Sequence, residues 1–263
     1  MTVAEALTYI ANTIRGITGK TDKMKLYDMP NEIEQGMRQV SEAGYDQGIK
    51  QGKQAEYDRF WDAFQQNGNR TDYRYAFTAQ WTEEIFKPKY PIKPKGSTAY
   101  MFRYFPIADV KAHCEQYGIV IDTSGSTNLD SIFQNSAVEI FGDLDTRGIS
   151  AVTGVLYQAS TLRTIRLILK DDGSQTFDRC FTQASKLENL EIVGKIGSNF
   201  DLSPCTKLTR ASIDSVILAL STNLTSVQTL TLSATAVNNA FTTEEWNTLV
   251  GLLSSMNWNL GTA

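Results

Sequence analysis

The chain has 263 residues, 41% of them apolar and 21% charged, which is enough for a sizeable core without disulfide or metal staples. Acidic residues outnumber basic ones 29 to 25, a formal charge of −4, so no global basic field exists to hold nucleic acid or an anionic membrane. The single histidine, His113, excludes any site that needs two, and Cys114, Cys180 and Cys205 lack the CxxC spacing of the common zinc sites. No cofactor, metal or catalytic residue is expected.

At the start, MTVAEALTYIANTIRG carries Glu5 where a secretory signal would be basic. The longest apolar runs, such as 216–220, are far short of the roughly 20 residues that span a bilayer. Synthesis in a cytoplasm without a signal peptide, and no membrane insertion, are therefore expected. Within residues 1–30, an attachment segment, Val3, Leu7, Ile10, Ile14 and Ile17 recur at helical steps. Thr2 and Glu5 have the spacing of a capping box.

Residues 31–66 contain no proline and carry mixed charge, which predicts a long helix with coiled-coil character. Ile33, Met37, Val40, Gly44, Gln47 and Gln51 fall on an approximate heptad stripe, and Gly44, Gly48 and Gly52 lie four apart on one face. Each such glycine costs about 1 kcal/mol against alanine in a helix interior. Close approach of another helix would offset that cost, so Met37, Val40, Gly44, Gly48 and Gly52 are candidate helix–helix contacts; a broken helix is the alternative. Tyr57, Phe60, Trp61 and Phe64 then form an aromatic face that residues 73–86 are expected to cover.

Residues 67–96 read as a connector. NGNR is a turn signal, and the proline-spaced, basic KPKYPIKPK (87–95) favours a semi-rigid polyproline II spacer. A domain boundary is expected here.

Residues 97–263 repeat themselves, and repeats outrank other signals. IFQNSAVEIF, VLYQASTLRTIRLIL and CFTQASKLENLEI align, with Phe133, Leu156 and Phe181 at one position, separated by 23 and 25 residues. Val138, Leu162 and Leu187 occupy a second position; Ile165 matches Leu190, and Leu167 matches Ile192. Phe102 marks a degenerate first copy, and Leu230 and Leu232 a degenerate last one. Each copy offers a turn followed by an alternating strand, and units that cannot bury their own apolar edge gain a continuous core by stacking. Helices are expected at 210–221, from the Ile213, Val216, Ile217, Leu220 face, and after Thr242, from its cap and following acids. A short strand is expected near Trp258–Leu260.

Three motif matches fail on inspection. GITGKT (16–21) lacks the first glycine of a phosphate-binding loop and follows a helix rather than a strand. Asp143-Leu-Asp145-Thr-Arg147-Gly148 opens like a calcium loop, but the twelfth position is Gly154 instead of glutamate. His113 and Cys114 are adjacent on a predicted helix, where neighbours point about 100° apart and form no nucleophile–base pair.

The repeat segments resemble the BspA-type leucine-rich repeats of bacterial and phage surface proteins. The opening IANTIRGITGKTDKMKLYDMPNEI is similar to N-terminal segments of tail-associated proteins in phages and prophages of Firmicutes, and YDQGIKQGKQAEYDRFWDAFQQNGNRTDY resembles the helix that links the two parts. The resemblance implies an α+β chain, N-terminal helices followed by a short leucine-rich-repeat (BspA-like) solenoid. It implies a non-enzymatic tail fibre or baseplate component that is assembled into the virion after cytoplasmic synthesis. Tail proteins would bind the N-terminal region, a host-surface glycan or protein would bind the repeats, and a homotrimer is the expected assembly. A cell-surface adhesin and a cell-wall polysaccharide hydrolase are the alternatives.

Overall fold

The computed structural model describes residues 54–55, 58–79 and 81–263. The chain divides into two compact units, Met1–Phe60 and Trp61–Ala263, and the second holds every element named below. The attachment segment and the candidate contacts Met37, Val40, Gly44, Gly48 and Gly52 lie outside the described residues.

The second unit opens on an aromatic cluster. Trp61 is fully buried with its ring 5.0 Å from Trp81, and Phe64 lies 5.2 Å from Trp81 and 5.7 Å from Phe77. The buried Gln65 amide donates to the Tyr90 carbonyl at 2.8 Å and accepts from the Tyr90 amide at 2.9 Å. This two-way bond pins the basic 87–95 stretch to the helix end, so residues 67–96 belong to the same compact unit as residues 97–263.

In chain order come α1 (Val110–Tyr117), β1 (Ile140–Asp145), β2 (Ala151–Thr153), β3 (Thr164–Ile168), β4 (Thr176–Asp178), β5 (Asn189–Val193) and β6 (Phe200–Leu202). They are followed by α2 (Arg210–Ala219), β7 (Gln228–Leu232), α3 (Ala234–Ala240), α4 (Thr243–Ser254) and β8 (Trp258–Thr262). The strands pair in parallel as three small sheets, β1-β3-β5, β2-β4 and β6-β7-β8. In the first, Ile165 pairs with Leu190 and Leu167 with Ile192. Strand alternation sends these four inward and leaves Thr164, Arg166, Asn189 and Glu191 on the outer face. Successive turns are tied by backbone bonds, such as Phe102 N–H to Ile132 O at 2.9 Å and Leu156 N–H to Cys180 O at 2.8 Å. The rings of Phe77, Phe102 and Phe133 stack at 5.6 and 5.8 Å.

The expected α+β chain of helices leading into a leucine-rich-repeat solenoid is corrected. The described residues form a mixed α/β unit with three separate parallel sheets, and no continuous ladder closes. The physical reason lies at both edges of β1-β3-β5. Beside β1, the degenerate first copy forms α1, capped by Asp109 accepting from Ala112 N–H at 2.8 Å. Beside β5, where another strand would extend the sheet, RASIDSVILA forms α2. Its serines stand in for strand backbone: Ser212 Oγ accepts from Leu190 N–H and donates to Glu188 O, each at 2.9 Å, and Ser215 Oγ accepts from Ile192 N–H at 2.9 Å. With those groups satisfied, β5 has no unmet demand for a further strand.

Two fixed points hold neighbouring chain passes together. Gln175 is fully buried; its amide donates to Thr146 O at 2.8 Å and Ile149 O at 3.0 Å and accepts from Lys170 N–H at 2.7 Å. At Gly148 a Cβ would overlap the Ser124 and Ser126 carbonyl oxygens, so any side chain there forces backbone apart. Replacing Gln175 by the similarly sized Met leaves Ile149 O and Lys170 N–H without this partner, while Thr146 O keeps the Ile149 N–H at 3.1 Å. Gln175→Met is expected to lower unfolding free energy by about 2–4 kcal/mol, measured by urea denaturation with an unchanged m-value.

Candidate functional site

The outer face of β1-β3-β5 is a trough walled by the two flanking helices. Its cavity volume is about 490 Å³, with Lys111 of α1 on one side and Ser212 and Ser215 of α2 on the other. The floor is polar and ordered by register. Thr164 pairs with Asn189, whose Nδ2 donates to Thr164 Oγ1 at 3.3 Å. The next rung is Asp143, Arg166 and Glu191. There the guanidinium lies 3.3 Å from the Asp143 carboxylate and 3.2 Å from that of Glu191. Just before the strands, Arg163 repeats the arrangement with Glu188 at 2.9 Å and Glu139 at 3.9 Å. Two acid–base–acid rows thus border a hydroxyl-and-amide row.

Arg163 holds the Glu188 carboxyl below its ordinary range, first through their hydrogen bond. Correspondingly, the Glu188 hydrogen bond raises Arg163. These side chains are solvent-accessible, so each pair contributes little to global stability. Their effect is to fix rotamers, which gives the floor a defined pattern of donors and acceptors.

The residues singled out from the repeats lie beneath this face. Phe102, Phe133, Val138, Leu156, Leu162, Ile165, Leu167, Phe181, Leu187, Leu190 and Ile192 are all buried. They form the floor's support, and Ile165 and Leu190 also line the trough. His113 is buried with Nε2 2.6 Å from Phe86 O, which requires the proton on Nε2. Burial pushes the Cys114 and Cys180 thiols up to about 12 and raises Cys205 as well, so all three free thiols are inert near neutrality. Asp145, from the acidic turn, is largely buried in a forked pair with Arg147, 2.6 Å at its shortest. Among the described residues, no three His, Cys, Asp or Glu side chains converge as a metal site, and no helix is long and apolar enough to cross a membrane.

Sequence reasoning missed Thr164, Arg166, Asn189 and Glu191. The signal was present: each lies between core positions already aligned at a separation of 25 residues, so the intervening residues had to line the opposite face of adjacent strands. Comparison with protein-family models, curated proteins and solved structures finds no match for the chain.

Removing the guanidinium in Arg163→Ala is expected to return the Glu188 carboxyl upward to the ordinary glutamate range, followed by carboxyl carbon NMR titration. The sign for the parent protein follows from the lowered value. The pair's contribution is present above the ordinary glutamate range and is lost as pH falls through the depressed value of Glu188.

Proposed function

We propose that this chain is a non-enzymatic recognition component of a phage or prophage tail, with the β1-β3-β5 trough as the surface that contacts a host glycan. The observation that carries this reading is the mixed floor: Thr164 and Asn189 beside Asp143, Arg166 and Glu191, all held on adjacent rungs. A hydroxyl-rich ligand uses donors and acceptors alike and needs no net charge from its site. Nucleic acid would require an excess of cations, which these rows lack. A rigid sheet also presents its groups without an ordering cost at binding.

A polysaccharide hydrolase fits the trough less well. Its two carboxyl groups need contrasting environments, one keeping a proton and one losing it. Asp143 and Glu191 instead share one guanidinium. The tail context rests on the similarity of segments 10–33 and 45–73 to phage tail proteins. In that context the N-terminal region binds other tail or baseplate proteins. A homotrimer would multiply weak glycan contacts by raising their effective concentration.

The test is binding to an array of bacterial surface polysaccharides. Retention of a subset of hydroxyl-rich glycans is expected, weakened about tenfold or more by Asn189→Ala and by Arg166→Ala, the loss of roughly one good charged or paired hydrogen bond. No reducing sugar should be released. Retention unaffected by either substitution, or glycan cleavage, contradicts the proposal.

A further inference from the structure

Away from the trough, a second concavity of about 670 Å³ opens between α2 and α4. On α2 it is lined by Arg210, Asp214, Ile217 and Leu218, at positions i, i+4, i+7 and i+8 of one helical stripe. On α4 it is lined by Glu245, Thr248, Leu249 and Leu252, at i, i+3, i+4 and i+7. Two amphipathic stripes therefore face each other with space between them. Leu218 is 78% exposed and Leu252 57%, so the apolar floor of this cleft is wet. Ile217, Leu218, Leu249 and Leu252 bring apolar side chains from both helices to this one concavity.

One end of the cleft is fixed. The Arg210 guanidinium lies 3.9 Å from the centre of the Phe241 ring, bonds Ala240 O at 3.1 Å, and bridges Asp214 and Glu245 at 3.1 and 3.3 Å. Glu245 is held further by the capping box with Thr242, whose N–H it accepts at 2.8 Å. The walls are thus anchored to one another before anything binds. Glu244 makes no ion pair among the described residues. Three carboxylates at this rim face one guanidinium, leaving it net acidic. Gly251 lies on the same flank of α4 as Glu244, seven residues on. Among the described residues no atom stands within 4 Å of where its Cβ would be, so packing among them does not account for a glycine that disfavours the helix.

We propose that this cleft docks an amphipathic helix from a partner protein, its leucine-type face set between Leu218 and Leu252 and a lysine or arginine flank against Glu244. The wet apolar floor selects the apolar face, the acidic rim selects the basic flank, and Gly251 admits close approach of the incoming backbone. A third helix can seat between two helical walls by ridges-into-grooves packing. This inference does not depend on the glycan reading of the trough.

The test uses the full chain and two labelled synthetic peptides of about 15 residues, long enough to form helix on binding. One carries a leucine stripe with lysine flanks, its twin the same stripe with glutamate flanks. Fluorescence anisotropy should show binding of the lysine peptide, weakened about tenfold by Leu218→Ser, as expected for one leucine returned to water. Because Leu218 is exposed, that variant should fold normally, checked by an unchanged thermal transition. Gly251→Leu should also weaken binding while stabilising the isolated chain. Equal binding of both peptides, binding indifferent to Leu218→Ser, or no binding of the lysine peptide overturns the proposal. Concentration-dependent self-association lost in Leu218→Ser overturns it too, since the occupant would then be a second copy.

Discussion

A helix replaces a strand at one edge of the central sheet, and the hydroxyls of Ser212 and Ser215 make that replacement possible. A parallel strand leaves N–H and C=O groups open along its free edge, and each is expensive to leave unpaired away from water. Ser212 both accepts from Leu190 and donates to Glu188, which is what the backbone of a neighbouring strand would do. Ser215 repeats the acceptor half one turn later. The edge is closed, α2 is held against β5, and the sheet stops at three strands. Without that substitution there would be no second wall to the trough, and α2 would not face α4 across the second cleft.

Both surfaces with functional potential thus descend from one helix used on two sides. Toward β5, α2 turns Ser212 and Ser215, small hydroxyls that approach backbone. On another flank α2 carries Arg210, Asp214 and Leu218, which remain accessible and line the second cleft. The trough is polar because parallel strands project their alternate residues away from the core, and here those residues are Thr164, Arg166, Asn189 and Glu191. The cleft is apolar because α2 and α4 carry leucines beyond the reach of the core they pack on.

Parts of this arrangement were legible in the sequence. Ile165 with Leu190 and Leu167 with Ile192, matched by their 25-residue spacing, are register partners in the sheet. The start of α4 is carried by local chemistry, a threonine cap with a glutamate three residues on, and local signals survive folding well. The termination of the sheet was not legible. RASIDSVILA reads as an amphipathic helix, and nothing in its pattern says that two of its serines complete a strand 22 or 23 residues earlier. Gln175 was equally silent, since a glutamine that staples three backbone groups looks like any surface glutamine until its partners are brought together. The bond between the Gln65 side chain and the Tyr90 backbone, whose two halves lie 25 residues apart, left no trace in the pattern either. In each case long-range polar pairing, which leaves no periodicity in the chain, decided the outcome.

The most direct measurement is residue-resolved amide hydrogen exchange in the parent protein and in a Ser212→Ala, Ser215→Ala double variant. Loss of protection at Leu190 and Ile192, with the interior β3 amides of Ile165 and Leu167 still protected, is the result that the hydroxyl-closed edge predicts. Unchanged protection at Leu190 and Ile192 would mean that something other than these two serines closes the sheet, and the account of both surfaces would lose its foundation.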